Sequence, residues 1–450
     1  MTDKKLFAKT FLFTVSAMLT LALAAGPAAS AQTSTYKVIH DFIGTTGMFP
    51  VGNLVADSSG NLYGVLSEDT NPTGNCVNTQ GCGNIFKLYK TSAGGWAVAQ
   101  LHKFAGGTKD GASPQGGLAF DSAGNLYGTT YLGGLYGQGT AFKLAPTSSG
   151  GWTYSVIYHF GATFAGGENP QAAFVVDALG NLYGSTISGG ATSGICFPGG
   201  CGVAFELSLG SSGTWTESVI HTFAGTDGSW PRAAMIFDTA GNLYGTTQYG
   251  GNTSACVGGG CGAVFELSPN GSGGWNTTVL YSFAGKTDGS LPFYSSVIFD
   301  AAGNLYGTTA GGGHNSQCNG GCGVVFKLSP NNNGSWSEST IHSFTGANGA
   351  PDFGGGWPES GLTADAAGNM YGATYLGGKG QGVVFKLSPN STGGWTSTVT
   401  HAFTGGTAGG YPYHTGLTLS GDGNLYGMTI GGGNLTDCSG GCGTVYQVTP

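Results

Sequence analysis

Short apolar runs alternate with polar residues along almost the whole chain, and they return in the same order many times over. Residues 116–160 give the pattern. One short apolar run ends at Asp121, a second at 125–130 returns after the turn Asp121-Ser-Ala-Gly, a third covers 139–144, and a fourth runs from Trp152 to Phe160. Period-two alternation in runs rich in Val, Ile, Phe, Tyr and Thr predicts strands. The first two should form a hairpin. Its Asp can accept hydrogen bonds from nearby backbone N–H groups, and its Gly supplies the positive φ of a tight reversal. The four strands are called A, B, C and D, with A innermost and D at the half-exposed outside.

Strand B carries Gly-Asn-Leu-Tyr-Gly, which recurs at 60–64, 124–128, 180–184, 241–245, 303–307, 368–372 (Met370 for Leu) and 423–427. Seven small sheets spaced 55 to 65 residues apart predict an all-β fold, a seven-bladed β-propeller of four-stranded antiparallel blades. An open solenoid of the same repeats is the alternative. The phase of the chain favours closure, since a lone D-type strand at 36–42 precedes the first unit and a C-type strand at 443–448 ends the last. The N-terminal strand is expected to complete the last sheet and remove an open edge.

The Asp-x-x-Gly-Asn-Leu-Tyr-Gly-x-Thr core, the Gly-Gly six residues after its Tyr, the Val-Phe-Lys-Leu strand and the Gly-Trp before strand D resemble a known repeat. It is the Gloeobacter/Verrucomicrobia ("GloVer") tandem repeat of exported bacterial proteins, and the resemblance covers residues 36–450. It implies a surface or secreted protein of a family whose members often carry a C-terminal anchor. Here the sequence stops at Pro450, just after its last strand, so no anchor is expected. The first unit departs from the pattern with Val65-Leu66-Ser67.

The units differ from one another in length only in two places. Strand C Leu to Trp is eight residues in all six units that have the Trp, and Trp to the outer Phe is again eight. The B to C connection varies, from 14 residues (Tyr371 to Phe385) to 23 (Tyr63 to Phe86), as does D to A, from 15 (Phe223 to Asp238) to 21 (Phe344 to Asp365). In a four-stranded meander both variable connections emerge on one face, where binding usually resides. That face also collects Pro50, Pro114, Pro170, Pro231, Pro292, Pro358 and Pro412, flanked by Phe49, Trp230, Phe293, Tyr294, Trp357, Tyr411 and Tyr413. With His414, these aromatics are the candidate binding residues, suited to stacking on sugars or gripping a peptide; the competing reading is that they pack between sheets. Glu68, Asp69, Arg232, His314, Lys379 and His414 are nonrepeating polar residues of the same face. The repeated Trp96, Trp152, Trp215, Trp275, Trp336 and Trp395 read as structural.

Composition places this ring outside the cytoplasm. Lys4, Lys5 and Lys9 precede an apolar run from Phe11 to Ala25 and the small residues Ala29-Ser30-Ala31, so 1–31 is expected to be a signal peptide and 32–450 a single mature domain. Removing three lysines and Asp3 leaves 11 basic and 21 acidic residues, a formal charge of −10, which argues against nucleic acid. The ten cysteines form five close pairs, Cys76 with Cys82, Cys196 with Cys201, Cys256 with Cys261, Cys318 with Cys322 and Cys438 with Cys442, expected as local disulfides. Equivalent His40, His102, His221, His342 and His401 lie one per outer strand and cannot converge on an ion. No nucleophile elbow, zinc-protease or phosphate-loop motif is present. No metal or cofactor is expected, and no membrane span in the mature chain. The expectation is a monomeric, secreted or periplasmic, noncatalytic propeller that binds a neutral polymer, a glycan favoured. The alternatives are a cell-envelope scaffold binding a protein, and a carbohydrate-active enzyme, which would need a unique polar cluster near the ring axis.

Overall fold

Each Asp-x-x-Gly turn folds around its aspartate. Asp121 Oδ1 accepts from the backbone N–H of Ala123 (2.9 Å) and Asn125 (2.8 Å), while Oδ2 accepts from the Asn125 amide (2.6 Å) and the Tyr127 hydroxyl (3.1 Å). The same four bonds form at Asp57, Asp177, Asp238, Asp300 and Asp365. In the seventh unit Ser420 stands at the Asp position, and Asp422 receives the Tyr426 hydroxyl instead, at 2.8 Å. Burial pushes these carboxyls up, but the bonds from Asn, Tyr and backbone together outweigh it. Asp57, Asp121, Asp238, Asp300 and Asp365 are held below the usual carboxylate range.

A computed structural model describes residues 34–69, 76, 81–196, 198–256, 259–314, 318, 320–345 and 358–450. The expected leader, 1–31, and Trp357 lie outside these residues. In the second blade the strands are A (Ala119–Phe120), B (Leu126–Thr130), C (Thr140–Pro146) and D (Trp152–His159), hydrogen-bonded in that order. Seven such sheets follow one another and form a seven-bladed β-propeller. Strand A is shorter than the expected 116–121. The inner segments approach their neighbours backbone to backbone, so that a Cβ on Gly116 would lie 2.6 Å from the Ala172 carbonyl oxygen. These segments pack across to adjacent blades instead of extending the ladder.

Strands C and D share one irregularity: the register skips a residue of D, for example Ile157 between Val156 and Tyr158. A bulge at this place in every outer strand bends the edge and blunts it against pairing with another chain. It also turns the next side chain toward a partner. His102 meets Asp110 at 3.1 Å, His221 meets Asp227 at 2.8 Å, and Tyr281 donates to Asp288 at 3.0 Å. His102 and His221 are thus polar caps of outer strands, while His401 serves as an aromatic surface, stacked on Tyr36 at 3.5 Å.

The core lies between blades. Each repeated Trp meets the Tyr of Gly-Asn-Leu-Tyr-Gly in the preceding blade edge to face, as with Tyr127 and Trp215 at 6.0 Å, and Trp96 meets Tyr426 at 5.8 Å across the ring closure. The second Gly of the motif makes room for the strand C Phe, since a Cβ on Gly128 would be 2.5 Å from the Phe142 ring. Closure follows the expected route. Thr35–Asp41 pairs antiparallel with Thr444–Thr449, Tyr36 opposite Val448, and Tyr36 stacks on His401 of the sixth blade at 3.5 Å. Near the axis Gly52 N–H donates to the His414 carbonyl at 3.0 Å, joining the first and last blades again. All five cysteine pairs are bridged locally, with Cα separations of 4.7 to 5.3 Å. No helix among the described residues is long and apolar enough to cross a membrane.

Candidate ligand-binding site at the ring axis

The site is built on the D to A connections, which share a strained turn. In six of these connections the residue before the proline has positive φ: Phe49 (57°), Ser113 (51°), Asn169 (59°), Trp230 (58°), Leu291 (56°) and Tyr411 (59°). A non-Gly residue held there costs on the order of 1 kcal/mol or more. Two contacts to the previous blade compensate. The strained residue donates its N–H to the carbonyl just before the Gly that opens strand C, as Trp230 does to Cys201 at 2.9 Å. The proline ring then rests on that Gly, where a Cβ on Gly202 would be 3.1 Å from Pro231 Cδ. In four of the six such bonds the acceptor residue is a disulfide cysteine (Cys82, Cys201, Cys261, Cys442), and in two it is Gln138 or Gln381.

The residue after each proline is thereby aimed inward, and it differs from blade to blade: Val51, Gln115, Gln171, Arg232, Phe293, Glu359 and Tyr413. Val51 turns into the core between the first two blades. The other six line two cavities near the axis. A loop-face cup of about 400 Å³ is bounded by Gln248, Tyr249, Phe293, Glu359, Tyr375 and Tyr413. An axial cavity of about 390 Å³ is lined by inner segments of all seven blades and by Gln115, Gln171, Arg232, Tyr294 and His414.

A stack of rings runs between them. His414 is sandwiched by Tyr294 at 3.7 Å and Tyr413 at 3.6 Å, with Phe293 edge-on at 5.1 Å. The Arg232 guanidinium lies over Trp230, Phe293 and Tyr294 at 5.2, 5.3 and 5.7 Å. Gln171 Oε1 accepts from Arg232 Nη1 at 2.5 Å and from the Tyr294 hydroxyl at 2.7 Å. Glu359 is 2% exposed and His414 7%, and Glu359 Oε2 stands 3.8 Å from His414 Nε2, too long for a hydrogen bond. Glu359 Oε2, both His414 nitrogens, Gln248 Oε1 and Arg232 Nε are buried without a partner. Burial pushes the Glu359 carboxyl up to about 8, the Arg232 guanidinium opposing it. Burial, and Arg232 secondarily, hold His414 well below its ordinary value. At neutral pH Arg232 is therefore the principal charge of the cluster.

Of the sequence candidates, Phe293, Tyr294, Tyr413 and His414 come together, Trp230 joins them through Arg232, and Tyr411 through Tyr375 at 5.4 Å. Phe49 does not. It packs on the cluster holding Met428, Cys438 and Cys442 between the first and last blades. Among the polar candidates Arg232 and His414 line the same axial cavity, whereas Asp69 pairs with Lys103 at 3.1 Å and His314 is exposed. Gln171, Gln248, Tyr249, Glu359 and Tyr375 escaped the sequence reading. The signal for Gln171 and Glu359 was variation at a fixed frame, one residue past each proline.

Fold and site together define a closed seven-bladed propeller with a polar and aromatic cluster at its axis, under loops of variable length. The chain belongs to the Gloeobacter/Verrucomicrobia repeat family, whose repeat matches residues 28–197, 148–354 and 259–450. No curated protein sequence matches it. Among solved structures it is similar to virginiamycin B lyase from Staphylococcus aureus, in its selenomethionine form (TM-score 0.50, 10% identity) and as a catalytically inactive variant with quinupristin (TM-score 0.52, 11% identity). Both alignments cover 93% of this chain and 99% of the other. The likeness is one of fold.

Proposed function

We propose that this protein is a secreted or periplasmic, noncatalytic propeller that binds a glycan in the loop-face cup. The observation that carries the reading is the cup's wall. Tyr249, Phe293, Tyr375 and Tyr413 surround Gln248 Oε1 and Glu359 Oε2, two buried polar oxygens left without partners. Sugars offer apolar faces to rings and hydroxyls to such polar groups, and about 400 Å³ is within the range of small-ligand pockets. Five disulfides fit an oxidising compartment. Capture on immobilised envelope glycans, run beside capture of envelope proteins, tests the reading. Tyr375→Ala combined with Tyr413→Ala is expected to abolish glycan capture. Retention of a protein partner with no glycan would favour a scaffold instead.

A second reading, a carbohydrate-active enzyme, is favoured by Glu359 and His414. A protonated carboxyl beside a neutral imidazole with open nitrogens is an arrangement that can move protons. The virginiamycin B lyase likeness, at 10% identity, does not bear on this. New reducing or unsaturated ends on incubated glycans, lost in Glu359→Gln, would establish the enzyme reading over the binding one.

A further inference from the structure

We propose that the axial cavity is a second binding site, for a small sugar carboxylate, with Arg232 receiving the ligand's charge. The cavity shares no lining residue with the loop-face cup, so it is a site apart from the one assigned above. At about 390 Å³ it has room for a single sugar ring.

Charge is the first argument. Arg232 is the only arginine in a chain of formal charge −8, and it stands where all seven blades meet. Among the described residues no carboxylate lies within ion-pair distance of it. The nearest acid of the cluster, Glu359, is kept largely protonated at neutral pH. A guanidinium keeps its charge throughout the physiological range, and a partly buried one without a counter-ion is costly. The chain nevertheless holds it in place, with Gln171 on Nη1 and the guanidinium over three aromatic rings. Nε remains buried and unpartnered. A planar fork fixed in place with donors to spare matches a carboxylate's two oxygens.

The rest of the lining suits hydroxyls. His414, 7% exposed and facing the same cavity, has both ring nitrogens unpartnered, one donor and one acceptor in the neutral ring. Asn53, Gln115 and Ser296 add neutral polar groups, while Leu54, Leu118 and Ile298 supply apolar wall for a sugar's C–H face. A bare inorganic anion would use the arginine but none of this.

Calorimetry on the purified protein with D-galacturonate, its methyl ester, galactose and inorganic phosphate tests the assignment. Galacturonate is expected to bind at least about tenfold more tightly than the other three, the scale of a lost charge-assisted bidentate pair. Arg232→Gln should erase that preference while the thermal midpoint stays near that of the unaltered protein. Should Arg232→Gln not fold, Arg232→Lys is read instead: it keeps the charge, loses the fork, and should weaken galacturonate at least about fivefold. Equal affinity for acid and ester, phosphate binding as tight as galacturonate, or no binding of galacturonate at all would each overturn the proposal.

Discussion

Asp300 shows how much one side chain organises. Its two oxygens collect four donors within one turn, two of them from Asn304. Asp300→Ala is expected to cost about 1–3 kcal/mol, because the Asn304 amide and the Tyr306 hydroxyl lose an acceptor, and chemical denaturation would read it. Glu359 makes the opposite kind of statement. Its carboxyl titrates at about 8 in the fold and near 4.5 when unfolded, so the native state holds the extra proton between these values and stability falls as pH rises across them. His40 and His401, lowered to about 4 by burial, act on the other side: the unfolded state takes up protons below about 6.5, and stability falls as pH drops from there toward 4. Melting curves from pH 5 to 9 should therefore show a decline on the alkaline arm that Glu359→Gln flattens. An alkaline arm unchanged by that substitution would remove Glu359 from the account.

At the scale of elements, the strained D to A turn and the cysteine loop of the preceding blade form one latch. The disulfide fixes the strand C entry whose carbonyl and Gly receive the next blade's pre-proline N–H and proline. Peptide mapping without reduction should find all five local bridges, and Cys201→Ala with Cys196→Ala should loosen the turn at Trp230, read as faster amide exchange there. The N-terminal strand is the other joint. Deleting residues 32–43 leaves the last blade with three strands and should lower the melting temperature by several degrees; an unchanged value would mean that Thr35–Asp41 contributes nothing to closure. These elements were legible because each is periodic: turn, motif and strand repeat at fixed offsets, and the odd strand at each end betrayed the closure. The site was not legible in the same way. Gln171, Arg232, Tyr294, Glu359 and His414 come from five blades and meet only because the ring bends them together. The expectation of a neutral ligand came from the aromatics of the loop face, and sequence alone did not show that Arg232, one of its polar residues, stands at the axis.

For the whole molecule, the test of a working face against a structural one is a comparison of tryptophans. Trp275 lies between blades against Tyr183, and Trp275→Ala should cost about 3 kcal/mol while leaving ligand capture intact in the molecules that remain folded. Trp230, 37% exposed and edge to face with the cup's Tyr249 at 5.2 Å, should behave in reverse, with a normal melting curve and weakened capture. If Trp230→Ala unfolds the protein and Trp275→Ala does not, the loop-face aromatics are packing and the cup is misassigned.

The pairing of Thr35–Asp41 with Thr444–Thr449 also sets a timetable. A chain grows from its N-terminus, so the early strand has no partner until roughly 400 further residues exist, and contacts of such sequence separation are slow to form. Until then six blades can assemble in order while an exposed edge waits at the start. The finished ring is indifferent to this history, but the nascent chain is not: the strand made first is the last to find its partner, and its edge stays open to wrong pairings for the whole of that interval.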